Sequence, residues 1–304
     1  MRVLVTGPGR LGRPLLAALH RQGVTGAVLH RGPEASLPPG WRSIRADVTR
    51  PESLAGACTE IDQVLHLAAV THTNRSARYE EVNAAGTLNL VAEARRGGAR
   101  RFTLVSTRAI SPEGGAYSRS KIRAEAMVRD SGLAWNILRP AEVYGTEGST
   151  AGSSGEGISA LIERCRAGRW VPVPGDGSPR LAPVYLDDVI DGLCRAVTAP
   201  GEGGVHTLAG PEEMTYRQLI GRLAAYFHTR PRTLGVPAGL LAFAARAFAL
   251  LPLDRPPLYA DQVARLFSPK SHDSGSAARA FGFRARPLEQ GLDAIFHSPH
   301  GAPA

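Results

Sequence analysis

The amino terminus of the chain places an apolar segment, a glycine motif and a helical segment in direct succession. Residues 2–6 are mostly apolar with β-branched members, which predicts a buried strand. A GxGxxG motif follows at once, and residues 10–22 have the pattern of a helix. Such glycines permit a tight turn, a close approach of the backbone to a pyrophosphate, and close packing of helix on strand. The sequence therefore predicts a dinucleotide site, with the phosphates near Gly7, Gly9, Arg10, Leu11 and Gly12.

The end of the second predicted strand bears on which dinucleotide is bound. This strand covers residues 26–30 and ends at His30, with Arg31 beside it. Folds that prefer NAD usually carry Asp or Glu here, on the adenosine ribose, whereas a guanidinium binds a phosphate well. We therefore expect NADP(H) to be favoured through His30 and Arg31, with NAD(H) as the alternative. The plainer alternative is that Arg31 is a solvated arginine in an arginine-rich chain.

Lysine is rare in this chain. Of the 36 Lys and Arg residues only Lys121 and Lys270 are lysine, and Lys121 follows Tyr117 by four positions. In a helix this spacing puts both side chains on one face. A nearby ammonium stabilises a phenolate and lowers the tyrosine pKa, which suits a proton donor and acceptor. The alternative is a surface helix with a chance Tyr/Lys pair.

A series of further motifs runs through the chain in a fixed order. It comprises Ala46-Asp47-Val48, Val64-Leu65-His66-Leu67-Ala68-Ala69, Val82-Asn83-Ala84-Ala85-Gly86, Phe102-Thr103-Leu104-Val105-Ser106-Thr107, Ile137-Leu138-Arg139-Pro140, Val143-Tyr144-Gly145 and Pro183-Val184-Tyr185-Leu186-Asp187-Asp188-Val189. With the glycine motif and the Tyr117/Lys121 pair, this series resembles the short-chain dehydrogenase/reductase superfamily, in particular its extended branch, the NAD-dependent epimerase/dehydratase family. The resemblance covers most of the chain.

The resemblance implies an NAD(P)-dependent oxidoreductase or epimerase that transfers a hydride at a carbonyl or alcohol carbon. It gives Tyr117 the proton exchange, Thr107 the substrate oxygen, and Lys121 the nicotinamide ribose and a lowered Tyr117 pKa. Ser106 and Ser111 stay open as alternatives for the active-site hydroxyl. The further cofactor-binding residues that it implies are Asp47, Val48, Leu67, Ala68, Ala69, Asn83, Tyr117, Lys121 and Pro140.

Two features are closer to the atypical branch, in which some members bind nucleotide without known chemistry. The glycine motif is one residue shorter than the usual TGxxGxxG, and the loop between Thr107 and Tyr117 is short. The alternative from another class is therefore a non-catalytic NADP(H)-binding regulatory or assembly protein. Within the family the alternative is a nucleotide-sugar epimerase or reductase. Because no acidic pair follows Thr107, a sugar 4,6-dehydratase is disfavoured.

Composition sets the class of protein and its expected partners. Hydrophobic content is 43%, typical of a soluble globular protein. The three cysteines are far apart, so we expect neither a metal site nor disulfides, and a reducing cytoplasm. The glycine motif starts too early to follow a signal peptide. The formal charge is +9, but the arginines are spread along the chain, so the expected partner is a small-molecule substrate and not nucleic acid. A homodimer stays open.

The alternation of strands and helices to about residue 140 predicts an α/β fold. We expect a Rossmann-like doubly wound parallel sheet with a smaller C-terminal substrate-binding part. The predicted strands cover residues 2–6, 26–30, 42–46, 62–67, 101–106 and 133–139, and the main helices cover 10–22, 76–97 and 116–131. Residues 1–145 are assigned to the dinucleotide-binding domain. Residues 146–304 are assigned mainly to the substrate, with some segments returning to the core.

Two later segments bear on the substrate. Residues 145–157 are rich in glycine and serine and are predicted to form a lid. Residues 238–251 are strongly apolar but too short to span a bilayer, so no integral membrane segment is expected. They are predicted to form a buried helix, or alternatively an apolar wall of the substrate pocket or a membrane-surface contact. This favours a small, less polar substrate over a nucleotide sugar.

Overall fold

The fold is built on one parallel sheet. The computed structural model describes residues 1–7, 9, 11–32, 36–145, 157–198, 203–251, 256–270, 273 and 275–297. Seven parallel strands form the central sheet in the order β11-β6-β5-β4-β1-β2-β3. They are β1 (Arg2–Thr6), β2 (Thr25–His30), β3 (Trp41–Arg45), β4 (Gln63–His66), β5 (Arg101–Val105), β6 (Ala134–Pro140) and β11 (Gly204–Leu208). The expected Rossmann-like α/β fold is confirmed.

Helices cover both faces of the sheet, which explains why its strands are apolar on both sides. One face packs against α1 (Gly12–Arg21) and α6 (Leu186–Thr198) through a core that includes Leu15, Leu19 and Leu193. The other packs against α3 (Gly86–Arg96) and α4 (Gly115–Arg129) through a core that includes Leu90 and Val128. Strand order and two-sided cover together bring the carboxyl ends of β1, β4 and β5 to one edge.

The helical stretch that was expected at residues 76–97 contains an irregular turn. It begins as α2 (Ser76–Tyr79), widens into a π-helical segment (Glu80–Ala85), and resumes as α3. Single π-helical turns inside helices are rare and are frequent at functional sites. Here the turn contains Asn83, one of the residues that the sequence assigns to the site.

The remaining elements come mostly from the second half of the chain. The strands are β7 (Val143–Tyr144), β8 (Val171–Pro174), β9 (Arg180–Leu181), β10 (Val184–Tyr185), β12 (Met214–Thr215) and β13 (Thr233–Val236), which pair as β10-β7, β12-β9 and β13-β8. The helices are α5 (Gly157–Arg166), α7 (Tyr216–Tyr226), α8 (Ala238–Ala249), α9 (Ala260–Phe267), α10 (Gly275–Phe281) and α11 (Leu288–Phe296). A third apolar core joins α5, α7 and α11. Most of the expected lid, residues 146–156, lies outside the described residues.

Helix α8 is not the buried helix that its composition predicts. Ala245 is its one buried residue, and the Phe243 side chain is 70% exposed. Leu240, Leu250 and Leu251 are exposed as well. The helix packs against α9, and because it is apolar on every side, that contact leaves apolar surface uncovered. In the described part of the chain, the helices are too short or too polar to cross a membrane.

Candidate active site

The glycine motif forms a tight turn directly after β1. Gly7 has a φ of +73°, and a Cβ there would stand 2.6 Å from the backbone of Ala68. The turn is closed by hydrogen bonds from Gly9 N to Gly7 O (2.7 Å) and from Gly12 N to Gly9 O (3.0 Å). Among the described residues, a Cβ on Gly9 would meet nothing nearer than Gly7 O at 3.9 Å. Arg10 lies outside the described residues, so its expected role stays a prediction.

His66 lies beneath this turn, at the end of β4, and it was not assigned to the site from sequence. Its Nδ1 lies 2.6 Å from Thr6 Oγ1 and its Nε2 lies 3.1 Å from Thr87 Oγ1. Thr6 Oγ1 also accepts a hydrogen bond from Ala68 N (3.3 Å). Burial, together with the charge of Lys121, lowers the pKa of His66 to about 3. A neutral imidazole thus joins β1, β4 and α3 under the glycine turn.

The π-helical turn aims Asn83 at the loop after β4. Asn83 Oδ1 accepts from Val70 N (2.8 Å), and its Nδ2 donates to Val70 O (3.0 Å) and to Ser120 Oγ (3.1 Å). The buried amide therefore ties the segment that contains Leu67, Ala68 and Ala69 to α4. The expected part of Asn83 in cofactor binding stays a prediction.

The carboxyl ends of β2 and β3 bring together three residues that the sequence assigned to the adenosine end. His30 bonds to Ser43 Oγ (2.6 Å) and Gly32 O (2.9 Å). Arg31, with 56% of its side chain exposed, has its Nη1 3.8 Å from Asp47 Oδ2. The end of β2 has no acidic residue beside Arg31, but the neighbouring parallel strand brings Asp47 to the same edge.

Asp47 and Val48 follow β3 at this edge, and neighbouring residues hold both in place. Burial acts to raise the pKa of Asp47, but hydrogen bonds from Thr49 and the charges of Arg31 and Arg50 outweigh it, so the pKa is lowered. Thr49 donates to Asp47 Oδ1 through its backbone N and its Oγ1, each at 2.9 Å. Val48 is buried, and a Cβ on Gly86 would stand 2.7 Å from its Cγ2. Asp47 is therefore a fixed, ionised group.

Tyr117 lies in the first turns of α4 and is nearly buried. Its side chain lies near Thr107, just past the end of β5, and against Arg265 of α9, whose Cζ stands 4.3 Å from the centre of the phenol ring. The edge of the Tyr79 ring faces it, with 5.6 Å between ring centres. Burial raises the pKa of Tyr117, against a lowering effect of Arg265 and Thr107. The phenol is therefore protonated at neutral pH, and the expected lowering of its pKa by Lys121 is not what the structure shows.

Lys121 shares the face of α4 with Tyr117 but reaches the backbone of β5. Its Nζ donates to Val105 O at 2.8 Å, and the side chain is buried. Burial lowers the pKa of Lys121 to about 8, while Glu125 acts in the opposite direction. The ammonium is thus held at the carboxyl end of β5, beside the strand that leads to Thr107.

The other two candidate hydroxyls are engaged elsewhere. Ser106 Oγ donates to Glu125 Oε1 (2.7 Å), and Ser111 Oγ donates to Glu113. Pro140 ends β6, where its carbonyl accepts from Arg108 N at 3.0 Å. Of Ser106, Thr107 and Ser111, Thr107 is therefore the one that contacts Tyr117.

A comparison with protein families decides what kind of protein this is. The model of the NAD dependent epimerase/dehydratase family matches residues 3–209. The chain belongs to this family. Membership confirms the resemblance inferred from the motifs and the expected class of enzyme, an NAD(P)-dependent oxidoreductase or epimerase. The matched segment includes the glycine turn, the Tyr117/Lys121 pair and the whole central sheet, whose last strand ends at Leu208.

Two curated relatives within this similarity are reductases that align over nearly the full length. The 2-alkyl-3-oxoalkanoate reductase of Stenotrophomonas maltophilia is 28% identical, over 96% of this chain and 97% of that protein. The 4-hydroxy-2-methyl-3-oxo-4-farnesyl-3,4-dihydroquinoline-1-oxide ketoreductase of Stigmatella aurantiaca is 27% identical, over 97% of this chain and 96% of that protein. The similarity to both extends beyond the segment that the family model matches.

Solved structures of this family share the fold. MoeE5 in complex with UDP-glucose and NAD superposes with a TM-score of 0.72 at 22% identity, over 96% of both chains. The UDP-glucose 4-epimerase of Thermotoga maritima, with UDP-glucose, gives a TM-score of 0.71 at 21% identity, also over 96% of both chains. At this level of identity the likeness establishes the architecture alone.

The glycine turn has the shape that the family's dinucleotide requires. The space in front of Gly9 is open at Cβ distance, and α1 begins there without a side-chain cap among the described residues. Uncapped backbone N–H groups at a helix start favour a phosphate. Gly7, Gly9, Leu11 and Gly12 would therefore line the pyrophosphate, as the sequence predicts.

The residue after Thr107 departs from the acidic pair of the family's sugar 4,6-dehydratases. Arg108 is buried, with 1% of its side chain exposed. Its Nη1 donates to Glu213 Oε1 (2.7 Å), and its Nη2 lies 3.3 Å from Glu142 Oε2 and donates to Arg180 O (3.2 Å). Arg108 thus links β5 to the second half of the chain, and it presents no carboxylate to a substrate.

Proposed function

We propose that this chain is a ketoreductase that reduces a small, apolar, alkyl-bearing ketone and favours NADP(H). The observation that carries the proposal is the approach of the Thr107 hydroxyl to Tyr117 at the carboxyl end of β5, close enough to lower the pKa of the phenol. It places a protonated phenol beside a hydroxyl at the edge where open parallel sheets bind their ligands. This is the pair needed to bind a carbonyl oxygen and to give it a proton.

Each of the three residues has a separate task in the reduction. Thr107 donates a hydrogen bond to the carbonyl oxygen and orients it toward Tyr117. As hydride reaches the carbonyl carbon, the C=O π electrons move to oxygen, and Tyr117 gives its proton to that oxygen, which yields the alcohol. The nicotinamide, when bound, supplies the hydride. Lys121, fixed on Val105 O, would hold the nicotinamide ribose from the same helix.

Two observations support an apolar ketone as substrate. Both of the relatives that align over nearly the full length are named for reduction of an oxo group on an alkyl- or farnesyl-bearing molecule. In this chain the apolar helix α8 packs on α9, and α9 packs on the helix that carries Tyr117. We propose that residues 146–304 supply the substrate-binding surface, with α8 as its apolar part. The proximity of Tyr117 and Thr107 disfavours a non-catalytic role, because these are the two residues that proton transfer to a carbonyl oxygen would need.

The preference for NADP(H) is supported by the charges at the end of β2. Arg31 and His30 lie where the 2′ position of the adenosine is expected. Arg31 is exposed, and its 3.8 Å approach to Asp47 is long for an ion pair. A 2′-phosphate would be the stronger partner for the guanidinium, because it carries more negative charge than a carboxylate and has three acceptor oxygens.

Turnover of a substrate panel tests the proposal. Oxidation of NADPH and of NADH would be followed by absorbance with 2-alkyl-3-oxoalkanoates, long-chain ketones and UDP-glucose. We expect turnover of the alkyl ketones with NADPH, and loss of most of it in Tyr117→Phe with the melting temperature unchanged. The matched control is Tyr226→Phe, which alters a half-buried tyrosine on α7, outside the site, that donates to Asp293. Turnover of UDP-sugars with none of the ketones would overturn the choice of substrate, and full activity of Tyr117→Phe would overturn the mechanism.

A further inference from the structure

We propose that Asp261 and Arg265 of α9 form a clamp on Tyr117, in which Arg265 is a positioning residue that controls proton transfer by the phenol. The clamp is defined as these two side chains. Both lie beyond the segment that the family model matches. The inference rests on the proposed role of Tyr117, and its test includes a measurement that does not need turnover.

Arg265 holds the phenol ring of Tyr117 from one face. Its Cζ lies 4.3 Å from the centre of the ring, well within the range of a cation–π contact. This guanidinium also acts to lower the pKa of Tyr117, against the effect of burial. Its orientation is fixed by two backbone carbonyls, because Nε donates to Asp261 O (3.1 Å) and Nη2 donates to Thr71 O (3.2 Å). The position of the guanidinium over the ring is therefore fixed by hydrogen bonds of Arg265 itself.

Asp261 holds the backbone of Tyr117. Its Oδ1 accepts from Ala116 N at 2.6 Å and from Tyr117 N at 3.4 Å. These amides belong to the first turn of α4, where helix N–H groups have no partner within the helix. Among the described residues, α4 has no side-chain cap from its own N-cap residue, Gly114. The Asp261 carboxylate, from a helix distant in the sequence, therefore caps the start of α4.

Gly115 makes room for this carboxylate. It has a φ of +83°, and a Cβ there would overlap Asp261 Oδ1. The backbone conformation and the space both exclude a larger residue. Because position 115 is glycine, the Asp261 carboxylate can reach the backbone amides of Ala116 and Tyr117. The glycine is a second, independent indication that this contact belongs to the site.

The spacing within α9 lets one helix face act on both parts of Tyr117. Asp261 and Arg265 are four residues apart, so they project from the same side of the helix. Asp261 accepts a hydrogen bond from the backbone amide of Tyr117, and Arg265 contacts its ring. Because α9 packs against α8, the clamp connects the phenol to the half of the chain that we propose binds substrate.

The charges around Tyr117 identify Arg265 as the cation that matters to it. The groups that face the phenol from neighbouring elements are Tyr79 of α2, Asp261 and Arg265 of α9, and Lys121 on its own helix. Lys121 is committed to Val105 O, and Arg265 leads the effects that lower the Tyr117 pKa against burial. Arg265 therefore takes the electrostatic role that the sequence suggested for Lys121.

The pH dependence of both reaction directions tests the clamp. Removing the cation in Arg265→Gln should raise the Tyr117 pKa by about one pH unit or more. Alcohol oxidation needs the phenolate, so its rise with pH should shift upward, with kcat/KM near neutral pH about tenfold lower. Ketone reduction needs the phenol, so its alkaline fall should shift in the same direction. Arg265→Lys should restore part of the shift, and Arg95→Gln, an exposed change on α3, should leave both profiles unchanged.

A titration without substrate separates this inference from the proposed function. The ultraviolet absorbance of tyrosinate is recorded against pH for the wild type and for Tyr117→Phe, and the difference gives the ionisation of Tyr117. The same difference in the Arg265→Gln background should lie at higher pH. Coincident curves would overturn the inference, whether or not any substrate is turned over. If Arg265→Gln does not fold, Arg265→Met, which keeps the length of the side chain without its charge, replaces it, and a Tyr117 curve unchanged in that variant would also overturn the inference.

Discussion

Ser106 donates a 2.7 Å hydrogen bond to Glu125 Oε1 and so faces away from Tyr117, although it is the neighbour of Thr107. Glu125 is buried and also accepts from Arg139 and Arg129. The two adjacent hydroxyls thus belong to different networks. The Ser106 hydroxyl donates to the buried Glu125 carboxylate, and the Thr107 hydroxyl lies beside the phenol of Tyr117.

This difference predicts opposite effects of two similar substitutions. Thr107→Val should lower kcat by about 10²–10³, the usual loss for one donor to a developing oxyanion. Ser106→Ala should lower kcat less than about tenfold but should cost about 1–2 kcal/mol of unfolding free energy, because Glu125 loses one donor. Steady-state kinetics and urea denaturation on both variants provide the check. Equal losses of kcat in the two variants would contradict the assignment of Thr107.

The cofactor preference should depend on Arg31. Arg31→Ala should weaken binding of NADP(H) by about tenfold or more, since a charge-assisted hydrogen bond to phosphate is lost. Binding of NAD(H) should change little. Thermal shift at equal concentrations of each cofactor measures the effect, because the tighter ligand stabilises more. Arg246→Ala on α8 is the matched control, and a wild type that binds NAD(H) tenfold more tightly would reject the preference itself.

His66 should make the protein sensitive to acid. Its pKa of about 3 in the folded chain lies below its ordinary value of 6.5, so as pH falls the unfolded chain binds the proton first. Stability that is complete above about pH 6.5 is then lost toward pH 3, at about 1.4 kcal/mol per pH unit. His66→Gln should remove this slope, so its deficit against the wild type should shrink by about 2 kcal/mol between pH 7 and 5. Urea denaturation at several pH values measures this, and a constant deficit would contradict it.

Arg108 and Arg180 offer a matched pair for a stability test, since both contact Glu213. Arg108→Ala should cost about 3–5 kcal/mol of unfolding free energy, because the buried cation is lost, Glu142 loses its arginine partner and Glu213 keeps only Arg180. The Arg180 side chain is 57% exposed and lies 2.7 Å from Glu213 Oε2. Arg180→Ala should therefore cost only about 1 kcal/mol or less. Similar losses for the two variants in urea denaturation would show that burial of Arg108 contributes nothing.

The sheet could be predicted from sequence because its signals are local. The six strands expected before residue 140 all occur, within one or two residues of their expected bounds. A buried parallel strand is a short apolar run, and a glycine motif after it marks the turn. The π-helical turn gave no such signal, because residues 76–97 have the composition of one continuous helix. The exposure of α8 was missed for a related reason, since a helix that is apolar on all sides does not indicate which side is covered.

The part of the site that the sequence did not predict depends on contacts between residues that are far apart in the chain. The separation between Tyr117 and Asp261 is 144 residues. An acidic residue four positions before an arginine is a common surface pair on helices, so the sequence gave no reason to connect it with Tyr117. Lys121 was expected beside the phenol from spacing alone, but spacing does not include the depth of burial or the carbonyl of Val105. Packing decides which cation reaches a given ring.

The cap that Asp261 provides limits how this chain can be recombined with its relatives. A chimera joined after residue 209, where the family match ends, would keep the full sheet and every recognisable motif. It would still have no acceptor for the Ala116 and Tyr117 amides unless the incoming half supplied a carboxylate at the same place. Conversely, a host with alanine in place of Gly115 could not receive this chain's α9. The two halves of the molecule should therefore be exchanged only as a matched set, because the Tyr117 motif in the first half depends on a residue of the second half that belongs to no sequence motif.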